Sequence, residues 1–351
     1  MRQNKAALAN PPSNRLVAAW LFACCGLVFA LVVVGGVTRL THSGLSIVEW
    51  QPIMGTLPPL NDAQWDETFA KYRQTPEFRL RNHDMAMDGF KGIFWWEYFH
   101  RLLGRVVGVA FLLPFIYFLA RGAIRASLGW KLAGIFFLGA LQGALGWYMV
   151  RSGLVDDPRV SSLRLAAHLG LAFLIYASML WVALGLISPL RTLSSDAVRQ
   201  RAGSAARLVF LMVLSGALVA GIRAGYAYNT WPLMDGHLIP PEILMIEPWW
   251  ANLVYNMATV QFIHRMLALV VVFVVVDLWL GVRREPPNRR ARLWSHALLA
   301  LIAMQVGVGI ATLVLRVPLP LAALHQAGAL LAFTCAIGLR HALREAPRLH
   351  R

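Results

Sequence analysis

Long apolar stretches alternate with polar ones along the chain, near residues 16–37, 93–120, 130–150, 163–188, 207–223, 253–281, 293–315 and 319–339. Each approaches the ~20 residues an α-helix needs to cross the hydrocarbon core of a bilayer. Several are interrupted by Gly or Pro, which membrane helices tolerate where neighbouring helices satisfy the backbone. The pattern predicts an all-α integral membrane protein with eight transmembrane helices.

The same pattern occurs twice. EYFHRLLG at 97–104 matches QFIHRMLA at 261–268, and LQGALG at 141–146 matches MQVGVG at 304–309. HLGLAF at 168–173 echoes HQAGALLAF at 325–333, and WQPIMGTLPP at 50–59 echoes WPLMDGHLIPP at 231–241. The offsets of 164, 163, 157 and about 181 residues drift only as loop lengths differ. Four matches in one order imply duplication, so repeats organise the fold. The predicted organisation is an N-terminal four-helix half (1–188) with a long outer loop (38–92), a cytoplasmic linker (189–206) and a C-terminal four-helix half (207–351). Four crossings return the chain to its starting side, so a pseudo-twofold axis along the membrane normal would relate two tandem four-helix bundles. Such bundles host cofactors among facing helices.

Composition sharpens the class. Of 351 residues, 58% are hydrophobic and 14% charged, where soluble domains carry roughly 25% charged residues. A net charge of +16 would suggest nucleic acid for a soluble protein. Here 19 of the 33 Lys and Arg side chains lie in the N-terminus, the second–third, fourth–fifth and sixth–seventh connections, and the tail. That excess is an orientation signal, and no nucleic-acid partner is expected. The positive-inside rule places both termini in the cytoplasm. No cleavable signal and no Arg- and Ser-rich transit segment precedes the first span, which favours a bacterial inner membrane. Cys24, Cys25 and Cys335 lie within spans and read as small buried hydrophobes. The outer loops carry no cysteine pair for a disulfide or thiolate metal site. The segment 38–92 balances six basic against seven acidic residues, a water-facing cap able to cover the outer mouths of sites beneath it.

Ionisable residues within spans mark function. Of ten histidines, His42, His83 and His237 fall in outer loops, His296 at a cytoplasmic helix start, and His341 and His350 in the tail. The other four, His100, His168, His264 and His325, fall on the second, fourth, sixth and eighth spans at similar depth from the outer side. Each half thus presents two imidazoles from non-adjacent helices. Two imidazoles without carboxylate or thiolate partners suit haem iron, held axially. Zinc would want four ligands per site, and a di-iron centre would want Glu-x-x-His from two helices. Only the first half has Glu97-x-x-His100, because Gln261 stands at the equivalent position. Arg101 and Arg265 follow their histidines near the outer interface and are candidate contacts for haem propionates, against a plainer role as snorkelling arginines. Gln142 and Gln305 read as interhelical hydrogen-bonding residues beside packing glycines.

GGVTRLTHSGLS at 35–46, EYFHR at 97–101 and QFIHR at 261–265 resemble the haem A synthase family of membrane proteins in cytochrome oxidase assembly, over about residues 16–340. The chain is similar to the proteobacterial and mitochondrial branch that lacks an outer-loop cysteine pair. The resemblance implies oxidation of the C8 methyl of haem O to a formyl group. It implies a resident haem b on His264 and His325, substrate haem O facing His100 and His168, and Glu97 as catalytic residue. No separate metal is expected. Implied partners are haem O synthase, an electron donor yet to be identified, oxidase assembly factors, the lipid bilayer and a second copy of the chain. The haem sites would lie toward the periplasmic side. Independently of family, Glu97 and His100 share one helix face, so an ionisable group is available in one half only. Two other readings fit the histidine pairs: a non-enzymatic diheme b-type electron carrier, and a repeat-built transporter whose His-Arg pairs line a path.

Overall fold

The computed structural model describes residues 12–50, 54–155, 157–188, 194–286 and 288–344. Arg2, Lys5, Arg191, Arg348, Arg351 and His350, used above in the charge and histidine readings, lie outside them. Eight helices are long and apolar enough to cross a membrane: α1 (Pro12–Leu40), α4 (Met87–Ala120), α5 (Ala126–Arg151), α6 (Ser162–Ile187), α7 (Asp196–Gly221), α9 (Met257–Arg284), α10 (Arg289–Val314) and α11 (Leu319–Ala342). Three shorter ones, α2 (Asp62–Arg73), α3 (Pro76–Arg81) and α8 (Asn252–Tyr255), lie between spans. No strand occurs among the described residues. The chain is an all-α multi-pass membrane protein.

Two boundaries differ from the sequence reading. α7 starts at Asp196, so most of the segment read as linker is helix; Ser195 caps it, its hydroxyl accepting from the Val198 amide at 3.4 Å, and Asp196 faces the positive end of the helix dipole. α11 runs to Ala342, which keeps His341 inside the bundle. That ring is 5% exposed and stands edge-on to Trp181 at 5.0 Å. His341 is thus a packed core side chain and not the solvated tail residue expected.

α1 packs on α4 and α6, and α5 packs on α4 and α6. In the second half α7 packs on α9 and α11, and α10 on α9 and α11. Each set of four closes on itself. Between the sets, α1 meets α11, α6 meets α7, and α6 meets α11. Exchanging the halves maps every one of these contacts onto another in the same set. The inner helices α1, α6, α7 and α11 build the shared apolar centre from Leu21, Cys25, Phe173, Met179, Val209 and Phe333. Because lipid is as apolar as leucine, polar contacts and close packing hold such helices together. Tyr176 and Thr334 hydroxyls meet at 2.9 Å, and the Gln326 amide donates to the Val32 carbonyl at 2.7 Å. The three cysteines are buried and free.

Two backbone hydrogen bonds that close the outer end of α1 recur at the outer end of α7. Thr41 N–H donates to Val37 and His42 N–H to Arg39; Ile222 N–H donates to Leu218 and Arg223 N–H to Ala220. Every pair is displaced by the 181 residues read from the loop motifs. His42 and Arg223 both close their helix in the left-handed region, at φ 55° and 58°, and they touch: an Arg223 Nη2–H donates to His42 Nδ1 at 3.1 Å. Burial, with Arg223, Arg81 and Arg39 nearby, holds the His42 imidazole below its ordinary pKa, so Nδ1 is available as an acceptor.

The first half alone carries the cap. α2, α3 and the extra outer turns of α4 surround an aromatic core of Trp65, Tyr72, Phe78, Phe90, Phe94 and Tyr98. Phe90 stacks against Phe69 and Tyr72, with centroids 5.0 and 5.1 Å apart. At 34 residues α4 is about 51 Å long, well beyond a ~30 Å hydrocarbon core. Its first turns therefore belong to this cap.

Candidate functional site

His100, His168, His264 and His325 sit half-buried on α4, α6, α9 and α11. His100 lies within electrostatic reach of His168, and His264 of His325. The structure thus brings together the two pairs read from the sequence, one in each half.

Every one of these imidazoles lies against a glycine of another helix in its own half. A Cβ on Gly35 of α1 would stand 2.6 Å from His100 Cε1, and one on Gly146 of α5 would stand 2.9 Å from His168 Cε1. The second half repeats this with Gly216 of α7 at 3.2 Å from His264 and Gly309 of α10 at 2.9 Å from His325. Helical glycine costs roughly 1 kcal/mol relative to alanine, so four at these places need a packing reason, and the rings supply it. The glycines keep the two offsets seen in the sequence, 181 and 163 residues. In LQGALG and MQVGVG the letters alone show packing glycines and do not assign them to the histidines. The signal that finds them is a glycine at the repeat offset on a helix facing each histidine.

The glutamines complete the symmetry. Gln142 Nε2 donates to the His168 carbonyl at 3.0 Å, and Gln305 Nε2 to the His325 carbonyl at 2.9 Å. Each fixes the helix turn that carries its histidine, as interhelical hydrogen bonds do.

The Glu/Gln difference is structural as well as chemical. Glu97 is 2% exposed. Its Oε2 accepts from the Ser46 hydroxyl at 2.7 Å and the Ile47 amide at 2.8 Å; its Oε1 accepts from Arg101 Nη2 at 2.6 Å and Nε at 3.0 Å. Arg101 also donates to the carbonyls of Ile47 and Glu49 at 2.7 and 2.9 Å. The pair clamps the loop after α1 onto α4. Gln261, 3% exposed, does the same job as a neutral amide: Nε2 donates to the carbonyls of Ala224 and Ala227 at 2.7 and 2.6 Å, and Oε1 accepts from Arg265 Nη2 at 2.8 Å. Arg265 donates onward to the Tyr228 carbonyl at 2.8 Å. Both arginines are therefore committed mainly to protein acceptors, while Arg265 Nε is buried without a hydrogen-bond partner.

Does this arrangement fit a haem? The Nδ1 atoms of His168 and His325 are buried without hydrogen-bond partners among the described residues, a cost that metal ligation removes. His264 Nδ1 meets the Ser215 hydroxyl at 3.1 Å, which leaves Nε2 as the ring nitrogen for iron. The glycines give each imidazole a flat backing where a Cβ would otherwise stand. Among the described residues no three His, Cys, Asp or Glu side chains gather as metal ligands. Zinc and di-iron centres need more ligands than that, whereas haem iron needs only the imidazoles. The residues fit haem.

The remaining described histidines lie apart from these pairs. His296 bonds the Arg292 carbonyl at 2.6 Å, and His237 Nδ1 meets the Asp235 carbonyl at 3.1 Å. His83 lies on the exposed turn before α4.

The family model described as cytochrome oxidase assembly protein, COX15-CtaA, matches residues 18–337. A heme A synthase of Nitrosospira multiformis is 60% identical over 332 residues, 93% of each chain. One from Nitrosomonas eutropha is 56% identical over 326 residues, 92% of each chain. One from Rhodospirillum centenum is 50% identical over 338 residues, covering 95% of this chain and 90% of its own. The chain belongs to the COX15-CtaA family of cytochrome oxidase assembly proteins.

Proposed function

We propose that the chain is an oxidoreductase that converts haem O to haem A by oxidising the C8 methyl group to a formyl group. The observation that carries this is a duplicated, glycine-backed histidine pair in which one copy alone bears an acid. Close relatives named heme A synthase support it. The two halves, residues 1–188 and 207–351, divide the work. His264 and His325 hold a resident haem b, and His100 and His168 receive substrate haem O. When bound, haem b supplies one-electron redox chemistry.

The chain's own residues do the rest. Ser215 orients His264, whereas Val34 stands at the equivalent place beside His100 and offers no such bond. The first-half imidazole meets α1 through the backbone of Leu31 and has no side-chain partner at the place of Ser215, a difference that suits a site whose occupant must come and go. The cap of α2 and α3, over the first half only, excludes water there. Glu97 is the catalytic residue. Of its donors, Arg101 and the Ile47 amide hold the carboxylate in place, and the Ser46 hydroxyl is the one neutral O–H able to pass a proton to Oε2. Gln261 keeps the clamp and removes the proton site. Arg265, through its unpartnered Nε, and Arg101 would contact the haem propionates. The membrane is the bacterial inner membrane, with both termini cytoplasmic and the haem sites toward the periplasm. Haem O synthase, an electron donor and oxidase assembly factors are the expected partners.

The test is to express the chain with a haem O source in a host lacking the activity, and to extract the haems. Haem A appearing only with the chain supports the proposal. Unchanged haem O with bound haem b would instead make the protein an electron carrier. Absence of bound haem would leave the transporter reading.

A further inference from the structure

At the end of the bundle opposite the histidines, α7 and α11 line an open surface pocket of about 400 Å³, where Arg199 and the exposed Arg207 and Arg340 surround Gly203, Ser204 and Asp196. Along the helices, Arg340 is 15 residues from His325, roughly 22 Å at 1.5 Å per residue, so this pocket is separate from the haem sites. Among the described residues its lining is basic. Asp196, the one carboxylate on the lining, is paired with Arg199. Among the described residues Arg207 reaches only the neutral hydroxyl of Ser204, at 3.0 Å. Arg340 has no hydrogen-bond or ion-pair partner among the described residues.

The two under-paired guanidiniums also converge. Arg340 Nη1 lies 3.3 Å and Arg207 Nη1 lies 3.6 Å from the point a Cβ on Gly203 would occupy. Like charges so placed repel each other unless an anion lies between them, and glycine leaves the floor open for one. The depth is equally specific. Arg207 directly precedes the apolar run 208–214, and Arg340 directly follows the largely apolar run 329–339. Both stand where hydrocarbon gives way to water, the level of phospholipid phosphates, on the arginine-rich side of the membrane. Guanidinium forks match phosphate oxygens geometrically, and basic pockets between transmembrane helices take anionic headgroups.

We infer that Arg207 and Arg340, over Gly203, form a phosphate-binding site for the headgroup of an acidic phospholipid. A free phosphate would satisfy the same pair, so the experiment separates the two sources. The full-length protein, purified in a phosphate-free detergent and stripped of lipid, is titrated with phosphatidylglycerol, phosphatidylcholine or inorganic phosphate. Bound lipid is counted by native mass spectrometry, and the shift in Tm is followed in parallel. Phosphatidylglycerol is expected to bind preferentially, and the double variant Arg207→Gln/Arg340→Gln to weaken it about 30-fold, at ~1 kcal/mol for each arginine. Arg207→Lys/Arg340→Lys should recover part of the loss, because an ammonium keeps the charge without the fork. An arginine-dependent response to inorganic phosphate that lipid does not add to would keep the site and assign it to a soluble anion. Equal binding of every probe by the wild type and the Gln double variant would overturn the inference. Unchanged bound haem in the variants shows that they fold.

Discussion

The glycine behind each histidine makes a graded prediction. Replacing Gly35 by Ala places a Cβ 2.6 Å from His100 Cε1, where non-bonded carbons settle at about 3.5–4.0 Å. Restoring contact moves the ring by roughly 1 Å, and overpacking of this kind costs about 1–3 kcal/mol. The helix gives no other reason for loss, since Gly→Ala in a helix interior gains roughly 1 kcal/mol by propensity. Gly26 on the same helix has nothing within 4 Å of its Cβ position, so Gly26→Ala is the matched control. A displacement of 1 Å at a reacting centre costs on the order of 100-fold, so Gly35→Ala should lose at least that much haem A formation while Gly26→Ala retains it. Gly146→Ala and Gly309→Ala, both at 2.9 Å, should follow, and Gly216→Ala, at 3.2 Å, should be mildest. The assay is the absorption spectrum of the purified protein together with the ratio of haem A to haem O extracted from cells, each normalised to protein. If Gly35→Ala and Gly26→Ala gave the same spectrum and the same ratio, the rings would not depend on these glycines and the reasoning would fail.

Other outcomes follow from the remaining contacts. Glu97→Gln should abolish haem A formation at normal protein levels, because an amide cannot take a proton at Oε2; full product from this variant would remove Glu97 from the chemistry. Ser215→Ala should weaken haem retention by about 10–100-fold, the usual effect of losing a partner behind a ligating histidine, and an unshifted haem midpoint potential would argue against it. Burial holds the Glu77 carboxyl, 3% exposed in the cap, up at about 7 from 4.5. The folded chain therefore keeps a proton that the unfolded chain releases, and stability should fall as pH rises from 4.5 to 7 and then level off. Thermal melts across that window should show the decline in the wild type and a flatter profile in Glu77→Gln; parallel profiles would contradict the assignment. Gln305→Leu leaves the His325 carbonyl without its interhelical donor and should lower stability by about 1 kcal/mol, with Gln142→Leu matching it in the other half.

Much of this architecture is legible in the sequence because lipid makes the code coarse. A run of apolar residues near 93–120 or 253–281 has little choice but to be a spanning helix, and α4 and α9 contain those runs. His100 and His264 stood out because imidazoles are rare in such runs and these recur in register. What escaped depends on side-chain direction. The i,i+4 spacing in EYFHR places Glu97 beside Arg101, but nothing in those letters tells that both hold the loop at 46–49, since that needs the loop folded back over α4. The glycines were visible only as packing residues until the rings were seen against them. Arg199 and Arg201 were read as linker because charge there masked the helix that Ser195 starts. His341 was read as tail for a similar reason, arginines on either side hiding a ring turned inward toward Trp181.

The meeting of His42 and Arg223 has a consequence for ancestry. Residues displaced by the repeat offset that touch each other lie where, in a symmetric pair of identical half-chains, each would face its own copy. A self-paired C-terminal half would there set guanidinium against guanidinium, and a self-paired N-terminal half would set two identical imidazoles, one of which must present N–H and the other its bare nitrogen. The joined chain replaces both with a donor and an acceptor. Once that exchange had occurred, neither half could return to pairing with itself at this seam without losing the bond, so fusion at this point acts as a ratchet.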